Sequence, residues 1–426
     1  MTDTKELKKR FKSSIERGTG EAYLLMQKNP NLNFSAEIIK ATLTPLSYDP
    51  QSEGSRGPYL WELIALSKQQ DKIRTAILNG LANEQEDTWA LVQLFDLAAC
   101  FAKQGDKTAR QAIYDRFFKK IIEGSGWCGY NSIVDLDGLQ GLLFIATTIG
   151  QAIEKDPETW QDNMIIDHFQ RKHPAIKARN ELEKAGKTNR FIKLYLHNID
   201  QTEKRREEWV KKNPRSKINY DTITKNINSK LRVPYYGKDK LLKSDIKKLA
   251  DDFLKETDRL KLEKYCRVFD KVKYPYDYKP ILELAKSKNK KNDRLVEFAC
   301  GALKYFSGSD IRKFAIDTLK QTKSPWDYLD LLVLNFKIGD SKLLTEIARN
   351  CKNEHDTHAI VWGIVNIYRA NKTTTCKKPL EAIYDKLNCS SHREDIVRIL
   401  KENNVLSKQI KKELRYDFDE NIRKLA

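Results

Sequence analysis

The chain has 426 residues, 40% hydrophobic and 32% charged: enough apolar material for a core, and too much charge for a protein embedded in a membrane. Its formal net charge is +19, and residues 171–295 hold 36 Lys and Arg against 18 Asp and Glu, so all but +1 of the excess lies in the middle third. No run approaches the ~18–20 apolar residues of a spanning helix, and the N-terminus MTDTKELKKRFKSS has no apolar secretion signal, so a cytoplasmic protein without a membrane partner is expected.

The stretch LSYDPQSEGSRGPYLWELIAL (46–66) begins as a turn and ends as a helix. Asp49-Pro50 marks the turn, and Gly57-Pro58 opens the helix with proline where a missing N–H costs little. Tyr59, Leu60, Leu63, Ile64 and Leu66 give that helix its buried face. Glu53 and Arg56 are left to pair with each other or to stand at a groove edge; a surface pair contributes only ~0–1 kcal/mol.

Apolar residues recur at helical spacing over 85–103, 109–122 and 137–153, the last apolar nearly all round and therefore expected deep in a core. Breaks at Asn29-Pro30, Gly105, Asp156-Pro157, Asn213-Pro214, Gly308 and Gly339 recur at about helix length. Short connections favour antiparallel neighbours, and no convincing strand alternation appears; TITKNI (222–227) is too short to assign. Gly124-Ser-Gly126-Trp-Cys-Gly129 fits G-x-G-x-x-G, but a helix precedes it where a dinucleotide site needs a strand. Cys128 has no histidine nearby in sequence to activate it. The seven cysteines lack C-x-x-C spacing, which favours reduced thiols.

The middle segment is irregular. NRFIKLYLHNIDQTEKRREEWVKKNPRSKINY (189–220) begins as an amphipathic helix and becomes almost wholly charged, while 232–248 and 271–280 read as long loops or an extended, projecting helix. Lys204, Arg205, Arg206, Lys211, Lys212, Arg215 and Lys217 cluster within fourteen residues, and Tyr235, Tyr236, Tyr274, Tyr276 and Tyr278 lie among further lysines. Phosphates need cations and unstacked bases need flat faces, each stack contributing ~1–3 kcal/mol. The segment therefore predicts an anionic partner, nucleic acid first and an acidic protein second, with the tyrosines as loop anchors the plain alternative.

In the last third, Asp310-Ile-Arg-Lys-Phe-Ala315 recurs as Asn421-Ile-Arg-Lys-Leu-Ala426, with a looser relative at Asp293–Ala299. Each is expected to begin with a capping Asp or Asn and to set Ile or Leu and a small Ala on one face. The pattern resembles the second helix of HEAT-type repeats, which implies an all-α, right-handed α-solenoid of antiparallel HEAT-like helix pairs with a concave, partner-holding groove. Three regions follow: an N-terminal helical array (1–170), a basic tyrosine-containing segment (171–290) and C-terminal repeats (291–426).

Trp326 and Asp330 in KSPWDYLDLLVLNF are similar to the Trp and, four residues on, the catalytic Asp of the HEAT-like DNA glycosylases that excise alkylated bases. The resemblance implies that Asp330 stabilises charge developing on the sugar or activates water, with Trp326 and Trp362 as indole faces on a cationic lesion. Pro325 stands where that family has an aromatic residue, and Trp362 follows by one repeat rather than two. Glu354, His355, Asp356 and His358 hold two imidazoles on one helix face, but no other ligand is placed by sequence to close a metal shell, so neither metal nor cofactor is expected. Three classes stand: a scaffold binding nucleic acid or an acidic protein through a basic surface, an alkyl-base glycosylase, and a purely protein-binding scaffold.

Overall fold

The computed structural model describes residues 4–84, 86–123, 128–214, 218–229, 241–287 and 294–426, and no strand occurs among them. The fold is all-α. In chain order the helices are α1 (Thr4–Arg17), α2 (Glu21–Lys28), α3 (Ser35–Leu43), α4 (Pro50–Glu53), α5 (Gly57–Leu66), α6 (Gln70–Asn83), α7 (Thr88–Lys103), α8 (Lys107–Ile122), α9 (Tyr130–Lys155), α10 (Met164–Lys172), α11 (Ala178–Gly186), α12 (Arg190–Lys212), α13 (Tyr220–Ile227), α14 (Lys243–Phe253), α15 (Arg259–Phe269), α16 (Lys279–Ala285), α17 (Leu295–Leu303), α18 (Ser309–Leu319), α19 (Trp326–Leu329), α20 (Ser341–Asn350), α21 (Glu354–Ala370), α22 (Lys377–Tyr384), α23 (Ser390–Glu402), α24 (Lys408–Glu413) and α25 (Glu420–Arg423). The unassigned TITKNI falls in α13.

Packing divides the chain into two compact units: 1–214 together with 411–424, and 215–410. The end of the chain thus belongs with its beginning. Phe418 N donates to Gly18 O (3.0 Å), Tyr416 stacks on Tyr23 with centroids 4.1 Å apart, and Arg423 pairs with Glu62 at 2.7 Å.

In the first unit, side-chain caps set the helix starts. Asp87 accepts from Trp89 N and Ala90 N to open α7, and Asp106 accepts from Ala109 N to open α8. Buried Gln93 donates from Nε2 to Ala41 O (2.9 Å) and Thr42 O (3.0 Å), tying α7 to the end of α3. The corner at 46–66 is built otherwise than expected. Asp49 caps the single turn α4, Pro58 lies in the first turn of α5, and Arg56 points inward and is 1% exposed. Its Nη1 donates to Ile15 O (3.1 Å) and Glu16 O (2.6 Å), so it takes up carbonyls in the last turn of α1, and its guanidinium lies 4.6 Å over the Phe418 ring. Neither of the two roles left open for Arg56 applies.

Gly124 to Trp127, most of the G-x-G-x-x-G match, lie outside the described residues. Gly129 has φ +97° and begins α9, and a Cβ there would stand 2.5 Å from the Phe95 ring, so this glycine serves a turn and a close approach. Burial pushes the Cys128 thiol up, which suits a core thiol and not a nucleophile. Contrary to the expectation that no run reaches spanning length, α9 is long and apolar enough to cross a bilayer. Gly138 (φ 52°, ψ −125°) interrupts it, and it packs against α7, α8, α10, α11 and α12.

Arg74 grips the Asp106 carboxylate through Nε and through Nη2 (2.8 Å), and with the backbone amides at the start of α8 it holds that carboxyl down at about 2. A carboxyl depressed in the folded state adds stability above its unfolded value near 4 and loses it as pH falls through the folded value. Asp106→Asn is therefore expected to cost about 1 kcal/mol at pH 7, a figure discounted for partial exposure, and to cost much less near pH 2, where the folded-state carboxyl is already half protonated. Urea midpoints at the two pH values check this; an equal loss at both would assign the effect to capping alone.

In the second unit, α15 packs on α17, α17 on α19, α19 on α21 and α21 on α23. α16 and α18 flank this series, and α20 packs on α22, which in turn meets α21 and α23. The repeated motifs start differently from their expected caps. α18 is capped by Gly308 without a side-chain bond, and Asp310, inside the first turn, accepts from the Tyr278 hydroxyl (2.8 Å). α25 is capped by Asp419 rather than Asn421, and the two copies of the motif lie in different units. Asp293 lies outside the described residues.

Candidate functional site

α12 has two halves with different surroundings. Asn189 caps its start, accepting from Phe191 N (3.0 Å) and Ile192 N (3.3 Å), and donates from Nδ2 to Thr147 Oγ1 on α9 (3.0 Å). Ile192, Tyr195, Leu196, Ile199 and Thr202 bury the root. Past Thr202 every residue to Lys212 is exposed. This half carries Lys204, Arg205, Arg206, Lys211 and Lys212, none of which has an ion-pair partner among the described residues, and Trp209 is 64% exposed.

The charge on this half is one-sided. At about 100° per residue, Lys204, Arg205, Lys211 and Lys212 fall on one half of the helix with His197, Gln201 and Trp209, while Arg206, Glu203 and Glu207 lie on the other. Glu208 is the one acid among the cations. His197, Gln201, Arg205 and Trp209, four residues apart, make a stripe along that face.

Beside the stripe lies a pocket of about 220 Å³, lined by Trp160, Pro157, Leu194, His197, Gln201 and Arg205 among others. Trp160 is 57% exposed, and its loop is held by Asn198, whose Nδ2 donates to Thr159 O (2.9 Å). Asn163 bonds Glu203, fixing the next turn of α12 to the same loop. The arrangement offers two open indoles, Trp160 and Trp209, with Arg205 on the same stripe and further exposed cations along the helix.

The other expected residues are placed as follows. Arg215, Lys217, Tyr235 and Tyr236 lie outside the described residues. Tyr274 is 1% exposed, edge-on to Phe253 (5.5 Å) and Phe269 (4.8 Å), so it has no open face for a base. Tyr276 packs against Tyr274 and donates to Asp251 (2.6 Å), and Tyr278 donates to Asp310. The hydroxyls of Tyr276 and Tyr278 are thus tied to aspartates rather than left in water. Much of the remaining basic excess is occupied too: Lys172 pairs with Asp135 (3.3 Å), Arg190 with Glu154 (3.1 Å) and Arg179 with Asp200 (2.8 Å). Lys264 donates to the carbonyls of Asn226, Ile227 and Ser229. The middle third is also divided between the two units.

Trp326 and Asp330 sit on α19 and the 3-10 turn after it, against α21, which carries Trp362. Trp326 is half-buried and Trp362 is 52% exposed with its ring 4.7 Å from that of His392. Burial raises the Asp330 carboxyl, opposed by nearby Lys304 and a hydrogen bond with Asn366, so it is packed among protein groups. Lys304 is itself bonded to Asp270 (2.7 Å). Asp327, three residues before Asp330, is pushed up to about 6 by burial and by Glu297.

The histidine group resolves differently from its sequence grouping. Asn353 caps α21 by accepting from Asp356 N (2.8 Å), and His355 is exposed. His358 turns instead towards Cys389 and His392 of the next packed helix, with all three donor atoms within 4.8 Å of one another. Spacing along the chain does not show these partners, because the packing of α23 on α21 supplies them.

No family model, no curated protein and no solved structure matches the chain.

Proposed function

We propose that the chain is an α-solenoid of HEAT-like antiparallel helix pairs that binds single-stranded nucleic acid along the exposed half of α12. The succession in which α15, α17, α19, α21 and α23 each pack on the next supports the solenoid reading. The exposed pair Trp160 and Trp209, flanking Arg205 on a helix face bearing Lys204, Lys211 and Lys212, which have no ion-pair partner among the described residues, carries the functional one. Indoles left in water beside free cations suit splayed bases and their phosphates, where an acidic protein would need the cations alone.

Fluorescence anisotropy with a labelled oligonucleotide, single-stranded and duplex, tests this. Binding is expected to favour the single strand and to fall linearly in log–log with salt. A slope of no more than about 2.8 follows if the four cations of that face, Lys204, Arg205, Lys211 and Lys212, meet phosphates at ~0.7 each. Trp209→Ala weakens binding roughly tenfold through the lost stack, and Lys211→Ala lowers the slope by about 0.7. Binding that ignores salt, or that neither substitution changes, removes the proposal.

A further inference from the structure

The group His358, Cys389 and His392 lies in the second unit. His358 is on α21, Cys389 is the residue that caps α23, and His392 lies in the first turn of α23. Cys389 and His392 are each 5% exposed, and His358 is half-buried. His392 Nδ1 is 3.0 Å from Cys389 Sγ, and the two imidazoles meet edge to face with centroids 4.5 Å apart. His392 Nε2 is buried and has no hydrogen-bond partner among the described residues.

Protein packing alone explains this arrangement poorly. A buried imidazole nitrogen without a partner is costly, and a leucine would fill the same space without that loss. A neutral imidazole carries one N–H and one lone pair, so whichever nitrogen faces the sulfur leaves the other unsatisfied. A cation drawing on the lone pairs of both rings and on the sulfur changes that balance.

We propose that His358, Cys389 and His392 form a binding site for Zn2+. One thiolate and two imidazoles make a zinc donor set, whereas Mg2+ and Ca2+ take oxygen ligands. A tetrahedral ion with ~2.0–2.3 Å bonds holds its donors about 3.5 Å apart, so donors now within 4.8 Å need close by only about 1 Å, within side-chain reach. Binding breaks the Cys389 S–H bond. The sulfur lone pair goes to the metal, the proton goes to solvent, and each imidazole donates a lone pair without a change in redox state. The fourth position is open to water or to Glu354, which stands one helical turn before His358 on the same face of α21. The site joins the first turn of α23 to α21, so the ion acts as a staple between two successive helices of the series.

The test uses the full chain, stripped with a chelator and titrated with Co2+ as a spectroscopic stand-in for Zn2+. One equivalent is expected to give tetrahedral d–d bands and a thiolate-to-cobalt charge-transfer band, with release of a proton, and Zn2+ is expected to displace the cobalt. Cys389→Ser removes the charge-transfer band. His358→Gln, at the half-exposed position least needed for packing, weakens binding about tenfold or more and abolishes the rise in melting temperature that Zn2+ gives the parent. Circular dichroism confirms that each variant is folded. Absence of the charge-transfer band in the folded parent overturns the proposal, and so does a Zn2+-induced rise in melting temperature that persists undiminished in both variants.

Discussion

Arg56→Leu is expected to lower the melting temperature of the first unit by on the order of 10 °C. The side chain is 1% exposed and its Nη1 reaches two carbonyls, Ile15 O and Glu16 O, in the closing turn of α1. Ile15 O also accepts from Gly18 N (3.3 Å), but both carbonyls lie in the last turn, at the negative end of the helix dipole. A charged donor there is worth about 1.5–3 kcal/mol per bond, so leucine forfeits about 3–5 kcal/mol in all. For a unit of this size each kcal/mol shifts the midpoint by roughly 2–4 °C. The loss extends beyond α1, because the guanidinium also lies against Phe418 and so helps hold the returning end of the chain. Arg56→Lys keeps the charge but not the planar fork, and is expected to recover only part of the loss. Thermal melts of the three proteins decide it. A fall below roughly 4 °C for Arg56→Leu, the value of a ~1 kcal/mol surface contact, would show that the residue behaves as an ordinary exposed arginine.

Arg56 also marks where the sequence stops being legible. Gly57-Pro58 and the apolar spacing after it place the start and the face of α5 correctly, because turn residues and helical period are local properties. The fate of Arg56 depends on α1, some forty residues earlier, and on Phe418 near the other end of the chain, and no local pattern holds that information. The same division holds elsewhere. α7, α8 and α12 follow their periods closely, while the return of 411–424 to the first unit leaves no trace in composition or spacing.

The candidate interface divides in the same way. The charge of 204–212 and the breakdown of the apolar pattern after Thr202 are visible in the sequence, and the structure has an exposed helix half there. The four-residue stripe His197, Gln201, Arg205 and Trp209 is equally legible in the sequence, whereas the burial of Tyr274 is not. Tyr274 sits in a core because it is flanked by the apolar faces of α14 and α15, which enclose it once they pack. Trp160 joins the stripe only because Asn198 holds its loop, a contact across 39 positions.

Gly150→Ala should separate α9 from the root of α12. In a helix interior alanine normally gains up to ~1 kcal/mol over glycine, so propensity alone predicts a more stable protein. Packing predicts the reverse. A Cβ at position 150 would stand 2.0 Å from Phe191 O and 2.5 Å from Phe191 C, and both are backbone atoms that no rotamer can move aside. The helices must part by more than an ångström, which loosens Ile192, Tyr195 and Ile199 together. Overpacking of this kind costs about 1–3 kcal/mol even where side chains can yield, so here a net loss of about 3 kcal/mol is expected. Gly186→Ala in α11 is the control: its nearest neighbours would be 3.5 Å away, an ordinary contact, so it should be neutral or slightly stabilising. Urea midpoints for both variants separate the two arguments, and a Gly150→Ala protein as stable as its parent would refute the packing one. The shift also reaches the pocket beside Trp160, because Leu194, His197 and Asn198 line it from the displaced root. Oligonucleotide binding by still-folded Gly150→Ala should therefore weaken while its salt slope stays put, since Lys204, Arg205, Lys211 and Lys212 remain on the exposed half of α12, beyond the root that the substitution displaces.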